Sequence, residues 1–250
     1  MDKFQEHLAN YQAHVKEDME KRLVFIREQV DGSGLAGAVV GISGGIDSAV
    51  TAALCVKALG PERVIGVWMP AYSQPVHEAD AKKLAEAIGL HLVTVDVGPA
   101  YDALVPALES VLPLGDKTKG NTKARLRMTT LYAIANQKGY LVADTCNRSE
   151  VYIGYMTKGG DGLADFNPVA SLTKHEIRIL ARELGIPESI LTKAPSADLW
   201  EGQTDEQEMG FTYEDLDRFL ITGETRPEAR ERIEYLHRIS AHKRSVMPEI

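Results

Sequence analysis

Cysteine is scarce in this sequence. Only Cys55 and Cys146 occur in 250 residues, in unrelated contexts. That excludes a disulfide framework and points to a reducing compartment, the cytoplasm. No apolar run is long enough to span a bilayer, and residues 1–30 lack the uninterrupted core of a signal peptide. The triplet Asn147-Arg148-Ser149 matches a glycosylation acceptor, but without a secretion signal it reads as coincidence. Positive charge is in deficit too. A formal net charge of −8 argues against non-specific binding to nucleic acid or an anionic membrane, while leaving room for a local basic pocket. There is no internal repeat, low-complexity segment or clean linker, so a single domain over 1–250 is expected.

What is there is a core-forming, periodic chain. Hydrophobic residues make up 44%, ample for one α/β domain. Phe4, Leu8, Tyr11, Val15, Met19, Leu23, Ile26 and Val30 step by three and four, giving a long N-terminal amphipathic helix closed by Asp31-Gly-Ser-Gly34. Strands are expected at 37–42, 63–70, 91–97 and 140–144, with helices at 47–60, 75–89 and 122–139 between them. Alternating helices and near-continuously apolar strands mean a parallel sheet with helices on both faces. Ligands in such sheets sit beyond the carboxyl ends of the strands, so residues 43–48, 70–74, 96–98 and 144–150 are where chemistry is expected. Further helices are expected at 173–185, 213–220 and 227–244, separated by long polar, glycine- and proline-containing stretches at 154–172 and 186–212. Loops of that length are usually lids or binding loops.

The first strand runs into "GISGGIDS" (41–48), a phosphate-type loop without a lysine. Gly41, Gly44 and Gly45 let backbone N–H groups approach an anion, and the following helix turns its positive end to the same place. A Walker loop would need Gly-Lys-Ser/Thr where Asp47-Ser48 stands, and the dinucleotide spacing G-x-G-x-x-G is absent. An aspartate here would repel a phosphate unless a cation lay between them. Asp47 therefore asks for Mg²⁺, with Ser43 and Ser48 as phosphate donors. The competing reading is a plain strand–helix turn capped by Asp47.

"SGGIDS" resembles the pyrophosphate loop of the N-type ATP pyrophosphatases, which cleave ATP to AMP and pyrophosphate and adenylate an oxygen of the substrate. Five further blocks, "GNTKARLRMTTLYAIAN", "DTCNRSE", "GYMTKGGDGLADFNPVASLTKHEI", "PSADLWEGQTDEQEMGFTYEDLD" and "HKR", follow in an order and spacing similar to ammonia-dependent NAD synthetase. The match runs from about residue 40 to the C-terminus. The resemblance implies an adenine-nucleotide α-hydrolase-like (Rossmann-like) single domain and a homodimer. It also implies ATP-dependent amidation of deamido-NAD with ammonia through an acyl-adenylate.

By the same resemblance, Gly41, Ile42, Ser43, Gly44, Gly45, Ile46, Asp47, Ser48, Thr145, Lys174 and Ser196 bind ATP, and Asp47 and Glu150 hold Mg²⁺. Asp47, Glu150 and Lys174 form the implied catalytic set. Arg125, Lys158, Asp165, His242 and Lys243 match contacts to deamido-NAD. Lys174 has a reason of its own to be noticed, since a lysine at a helix N-terminus opposes the dipole and wants an anion. Arg127, two residues from Arg125, points to another face and reads equally as structural. Cys146 and Asp144 depart from the family pattern; the thiol reads as a small buried apolar residue or as a reactive group. Asp198, Glu201, Asp205 and Glu206 could receive an ammonium ion. No cysteine constellation for a glutaminase is present, so free or separately supplied ammonia is expected. Two other classes share the loop: another amidating or tRNA-modifying pyrophosphatase, and a nucleotide sensor without turnover. Within the first, a nucleic-acid enzyme would want basic patches or an RNA-binding domain, and none appears in the sequence; the second would not need Glu150 and Lys174 together.

Overall fold

The computed structural model describes residues 2–193, 204–246 and 248–249. Helix α1 (Lys3–Gly32) begins at Asp2, whose carboxylate accepts the Gln5 N–H at 2.9 Å as an N-cap. There follow β1 (Gly37–Ile42), α2 (Ile46–Leu59), β2 (Val64–Trp68), α3 (Pro75–Ile88), β3 (His91–Thr94), α4 (Gly98–Glu109), α5 (Asp116–Lys138) and β4 (Tyr140–Ala143). The remaining elements among the described residues are helices: α6 (Arg148–Ile153), α7 (Lys174–Glu183), α8 (Glu188–Leu191), α9 (Asp205–Met209), α10 (Tyr213–Thr222), α11 (Pro227–Ile239) and α12 (Ala241–Arg244).

The four strands pair in parallel in the order β3-β2-β1-β4. Successive side chains of β1 go to opposite faces, as strand geometry requires. Ala38, Val40 and Ile42 enter a core shared with α1, α2 and α7; Val39 enters a second core against α5. Helices therefore cover both faces, as the sequence implied. The strand order reverses between β1 and β4, a switch point that leaves a crevice at their carboxyl ends. This is why the end of β3 (96–98) contributes nothing to the site described below, although the sequence marked it. A third apolar cluster (Ile153, Met209, Phe211, Tyr213, Leu216, Ala229 and Ile233) ties α6, α9, α10 and α11 together beside that crevice.

Several elements differ from expectation. Helix α4 lies where no element was expected, opening at Gly98-Pro99, with proline in its first turn. Helix α5 starts at Asp116 rather than near 122, and β3 stops at Thr94. The single C-terminal helix expected to 244 breaks at Ser240, where buried Ser240 packs against Gly154. The apolar stripe of α1 packs on the chain's own domain: Val15, Met19, Leu23, Ile26 and Val30 join the core of β1, α2 and α7, and buried Phe4 meets His175. No helix among the described residues is long and apolar enough to cross a membrane.

Ile26 is fully buried, so Ile26→Ala should cost about 2–5 kcal/mol by transfer and cavity terms. Urea unfolding at several protein concentrations checks this. The loss should be the same at all of them, whereas a concentration-dependent loss would place Ile26 in an intermolecular contact.

Candidate active site

The loop after β1 can be built only with glycine at position 44. Gly44 has φ +76°, and a Cβ there would lie 2.6 Å from the His77 carbonyl oxygen. Gly45 is the N-cap of α2 and no side chain caps that helix. Its first-turn N–H groups therefore stay available for an anion. Asp47 is accordingly not the cap. Ser48 Oγ donates to the Gly45 carbonyl at 3.0 Å and lies 3.1 Å from Ser43 Oγ, which accepts the Gly45 N–H at 3.2 Å. The two hydroxyls brace the loop from inside.

Beside it, Asn147 caps the short helix α6 in a capping box. Its side-chain oxygen accepts the Glu150 N–H at 3.0 Å, and Glu150 Oε2 accepts the Asn147 N–H at 3.1 Å. Asn147 Nδ2 also donates to Asp47 Oδ1 at 2.8 Å, tying the ends of β1 and β4 together. The residue is fully buried, which disposes of the glycosylation triplet. Glycine spacing drew attention to the loop, but the N-x-x-E capping pattern at 147–150 was the readable signal for α6, and it was missed.

Lys174, the first residue of α7 after the Thr173 cap, joins the two carboxylates. Its Nζ lies 2.6 Å from Asp47 Oδ2, 3.1 Å from Glu150 Oε1 and 4.8 Å from the centre of the Tyr213 ring. The lysine side chain is 3% exposed. Burial works against its charge, but Asp47 and then Glu150 outweigh it, and the ammonium is held above the ordinary lysine value. Glu150 goes the other way. Burial pushes it up to about 8 despite the attraction of Lys174, with Asp47 and Asp205 adding repulsion.

A buried network behind these groups was not legible in the sequence. Asp217 of α10, fully buried, accepts from Ser149 Oγ at 2.5 Å and from the His175 backbone N–H at 2.8 Å, and lies 2.6 Å from His175 Nδ1. Ser149 and His175 are the chain neighbours of Glu150 and Lys174. One carboxylate thus sets the spacing of both. Within "YEDLDRFL", Asp217 gave no sign of this, because its partners are 68 and 42 residues away.

A cavity of about 270 Å³ opens over this assembly. Of the residues assigned to ATP, it is lined by Gly41, Ile42, Ser43, Gly45, Ile46, Asp47, Ser48, Thr145 and Lys174, and also by Glu150. Gly44 stands behind the lining, and Ser196 lies outside the described residues, as do Asp198 and Glu201. Tyr155, Thr157, Asp161 and Asp205 form another part of the wall. Asp205 accepts from Tyr213 Oη at 3.0 Å and from Tyr155 Oη at 3.2 Å, and burial raises its pKa. Glu206 is turned away, accepting the Tyr213 N–H at 2.9 Å.

The residues assigned to deamido-NAD do not line this cavity. Arg125, Lys158, His242 and Lys243 gather in a neighbouring cluster. Arg125 Nε donates to the Lys158 carbonyl at 3.2 Å, Lys158 Nζ to the His242 carbonyl at 2.8 Å, and Lys243 Nζ to the Gly154 and Met156 carbonyls at 2.7 and 2.5 Å. Asp165 sits apart at the edge of β4, accepting the Val142 N–H at 2.7 Å and the Tyr132 hydroxyl at 3.1 Å. Arg127 lines the cavity, its Nε donating to the Met69 carbonyl at 3.0 Å. Cys146 is buried, its thiol donates to the Asp161 carbonyl at 3.1 Å, and burial raises its pKa well above the ordinary value; it is not a reactive thiolate. Asp144 accepts the Cys146 N–H and an Asn167 N–H, both at 2.9 Å, and so holds the 161–167 loop against the end of β4.

Two carboxylates that share one ammonium beside an uncapped helix N-terminus suit Mg²⁺, which commonly takes one or two protein carboxylates and fills its shell with phosphate oxygens and water. Among the described residues no cluster of three or more His, Cys, Asp or Glu could hold a metal alone. The donor set fits a cation that arrives with a phosphate ligand.

The Glu150 shift has a sign. Between its ordinary 4.5 and about 8 the folded chain keeps a proton that the unfolded chain has lost, so this group makes stability fall as pH rises through that window. Glu150→Gln should give a flatter stability–pH profile from pH 5 to 8, read as urea midpoints in metal- and nucleotide-free buffer. Parallel profiles would mean that Glu150 ionises normally.

Comparison with known proteins agrees with this geometry. The NAD synthase family model matches residues 18–247. An NH(3)-dependent NAD(+) synthetase of Carboxydothermus hydrogenoformans is 47% identical over 94% of this chain and 97% of its own. Among solved structures, an NMN synthetase from Francisella tularensis superposes with a TM-score of 0.90 at 40% identity, over 94% of this chain and 98% of the other. An NH3-dependent NAD synthetase from Campylobacter jejuni superposes with a TM-score of 0.77 at 33% identity, over 94% and 97%. With its loop, carboxylates and lysine at the switch point of a four-stranded parallel sheet, the chain belongs to the NAD synthase family.

Proposed function

We propose that the protein amidates the nicotinate carboxylate of deamido-NAD with ammonia, consuming ATP and releasing AMP and pyrophosphate. The observation that carries this is the Asp47–Lys174–Glu150 cluster at the mouth of the uncapped loop. A carboxylate cannot expel hydroxide readily. Transfer of AMP to its oxygen gives an acyl-adenylate with a good leaving group, and ammonia then displaces AMP. The loop N–H groups and Lys174 hold the departing pyrophosphate and oppose its growing charge. Asp47 and Glu150 would hold Mg²⁺, which supplies further neutralisation of the phosphates. Asp205, raised by burial and open to the cavity, is placed to take a proton from an incoming ammonium ion. No covalent enzyme intermediate is needed; the protein positions and neutralises.

A second reading has specific support. The chain superposes more tightly on the Francisella NMN synthetase than on the Campylobacter NAD synthetase, and the five residues assigned to deamido-NAD lie outside the cavity over the loop. The same carboxylate carried on nicotinate mononucleotide would undergo the same chemistry. The reading includes a cytoplasmic homodimer. An exposed apolar surface for a second copy is offered by Leu104, Leu108, Val111 and Leu112 at α4 and its end.

The purified protein, given ATP, Mg²⁺ and ammonium with either acyl acceptor, should release AMP and amide one for one, and neither without an acceptor. Turnover of deamido-NAD alone supports the first reading and of the mononucleotide alone the second; ADP formation overturns both. Glu150→Ala should lower kcat at least 10²-fold while ATP still binds, and a variant that turns over normally would remove Glu150 from the reaction.

A further inference from the structure

Four cations line the cavity: Arg127, Lys174, Arg178 and Lys193. Three are already committed. Lys174 is shared by Asp47 and Glu150, so that group of charges brings no excess of positive charge. Lys193 is ion-paired with buried Asp80 and donates to the Gly44 carbonyl at 3.0 Å. The Arg127 guanidinium is held by the Met69 carbonyl and lies 3.4 Å from Ser73 Oγ. Arg178 has no hydrogen bond or ion pair with any described residue, although it is half-buried.

Its place on α7 gives the vacant guanidinium a direction. Arg178 follows Lys174 by four residues, so the two lie on one helix face about 6 Å apart along the axis. Both line the same cavity, and Lys174 marks the end at the loop. A partly buried guanidinium without a counter-charge is a liability that ligand binding can relieve, and its planar fork matches two phosphate oxygens at once. A helix dipole supplies only about half a charge at the loop, far short of a polyphosphate's needs.

We propose that Arg178 is a binding residue for the polyphosphate chain of ATP, supplying the uncommitted positive charge that the loop and Lys174 lack. The proposal rests on the ATP reading above, and its test is built to fail separately. R178M should fold and melt no lower than the wild type without ligand, since it removes an unpaired charge; a purely structural arginine would lower the melting temperature. Calorimetry with Mg·ATP and with inorganic pyrophosphate should show both weakened at least tenfold, with AMP little changed and R178K recovering part of the loss. In turnover, KM for ATP should rise while KM for the nicotinate substrate stays put.

Unchanged ATP and pyrophosphate binding would overturn the proposal. So would a rise confined to the KM of the nicotinate substrate, which would give the guanidinium to that ligand's phosphate. The calorimetry decides even if neither acyl acceptor is amidated, in which case it is the functional reading that falls.

Discussion

The shared ammonium of Lys174 is the contact on which the site depends. Asp47 comes from the first turn of α2, Glu150 from α6 and Lys174 from the start of α7; without the lysine, two carboxylates would face each other across a partly buried gap. Breaking such a buried arrangement costs more than forming it gains, because the remaining charges lose both water and partner. Glu150, pushed toward its neutral form, shows how close that balance is. A divalent cation with its phosphate would relieve the repulsion that the lysine alone offsets in the unliganded chain. The cluster is thus an organised demand for charge as much as a stable contact.

Much of the surrounding fold holds these three groups in place. Asn147 joins the carboxyl ends of β1 and β4 through one side chain, and Asp217 spaces the residues next to Glu150 and Lys174. Even α1, far from α7 in sequence, participates. Phe4 meets the His175 ring edge-on at 5.3 Å, the Arg218 guanidinium lies over Phe4 at 4.8 Å, and His7 reaches Glu176 at 2.8 Å. The first turn of α1 therefore backs the turn of α7 that presents Lys174.

What the sequence disclosed and what it concealed divide along the range of the interactions. Gly44 and Gly45 were readable because a sharp turn before a helix is local chemistry, and Lys174 because a lysine at a helix start is locally unfavourable. The alternation of β1 and the stripe of α1 gave the layered architecture for the same reason. Asn147, Asp217 and Arg178 were not readable as members of the site. Their roles are set by partners, or by the lack of one, in elements tens of residues away, and Asp217 looks like any other acidic residue on an amphipathic helix. Helix α4 escaped because Pro99 and Pro106 punctuate it like a loop. Asp165, which a motif match gave to the substrate, was equally silent about its place at the sheet edge, where it accepts from the Val142 N–H and the Tyr132 hydroxyl.

The bond from Asn147 to Asp47 spans 100 positions, and that from Lys174 to Asp47 spans 127. A chain emerging from the ribosome therefore carries its glycine loop long before it can carry a working centre. Until α7 has been made and docked, Asp47 and Glu150 lack the ammonium that offsets their charges. The centre doubles as a proof of completion: only a chain that has closed its sheet and seated α7 brings the three charges together.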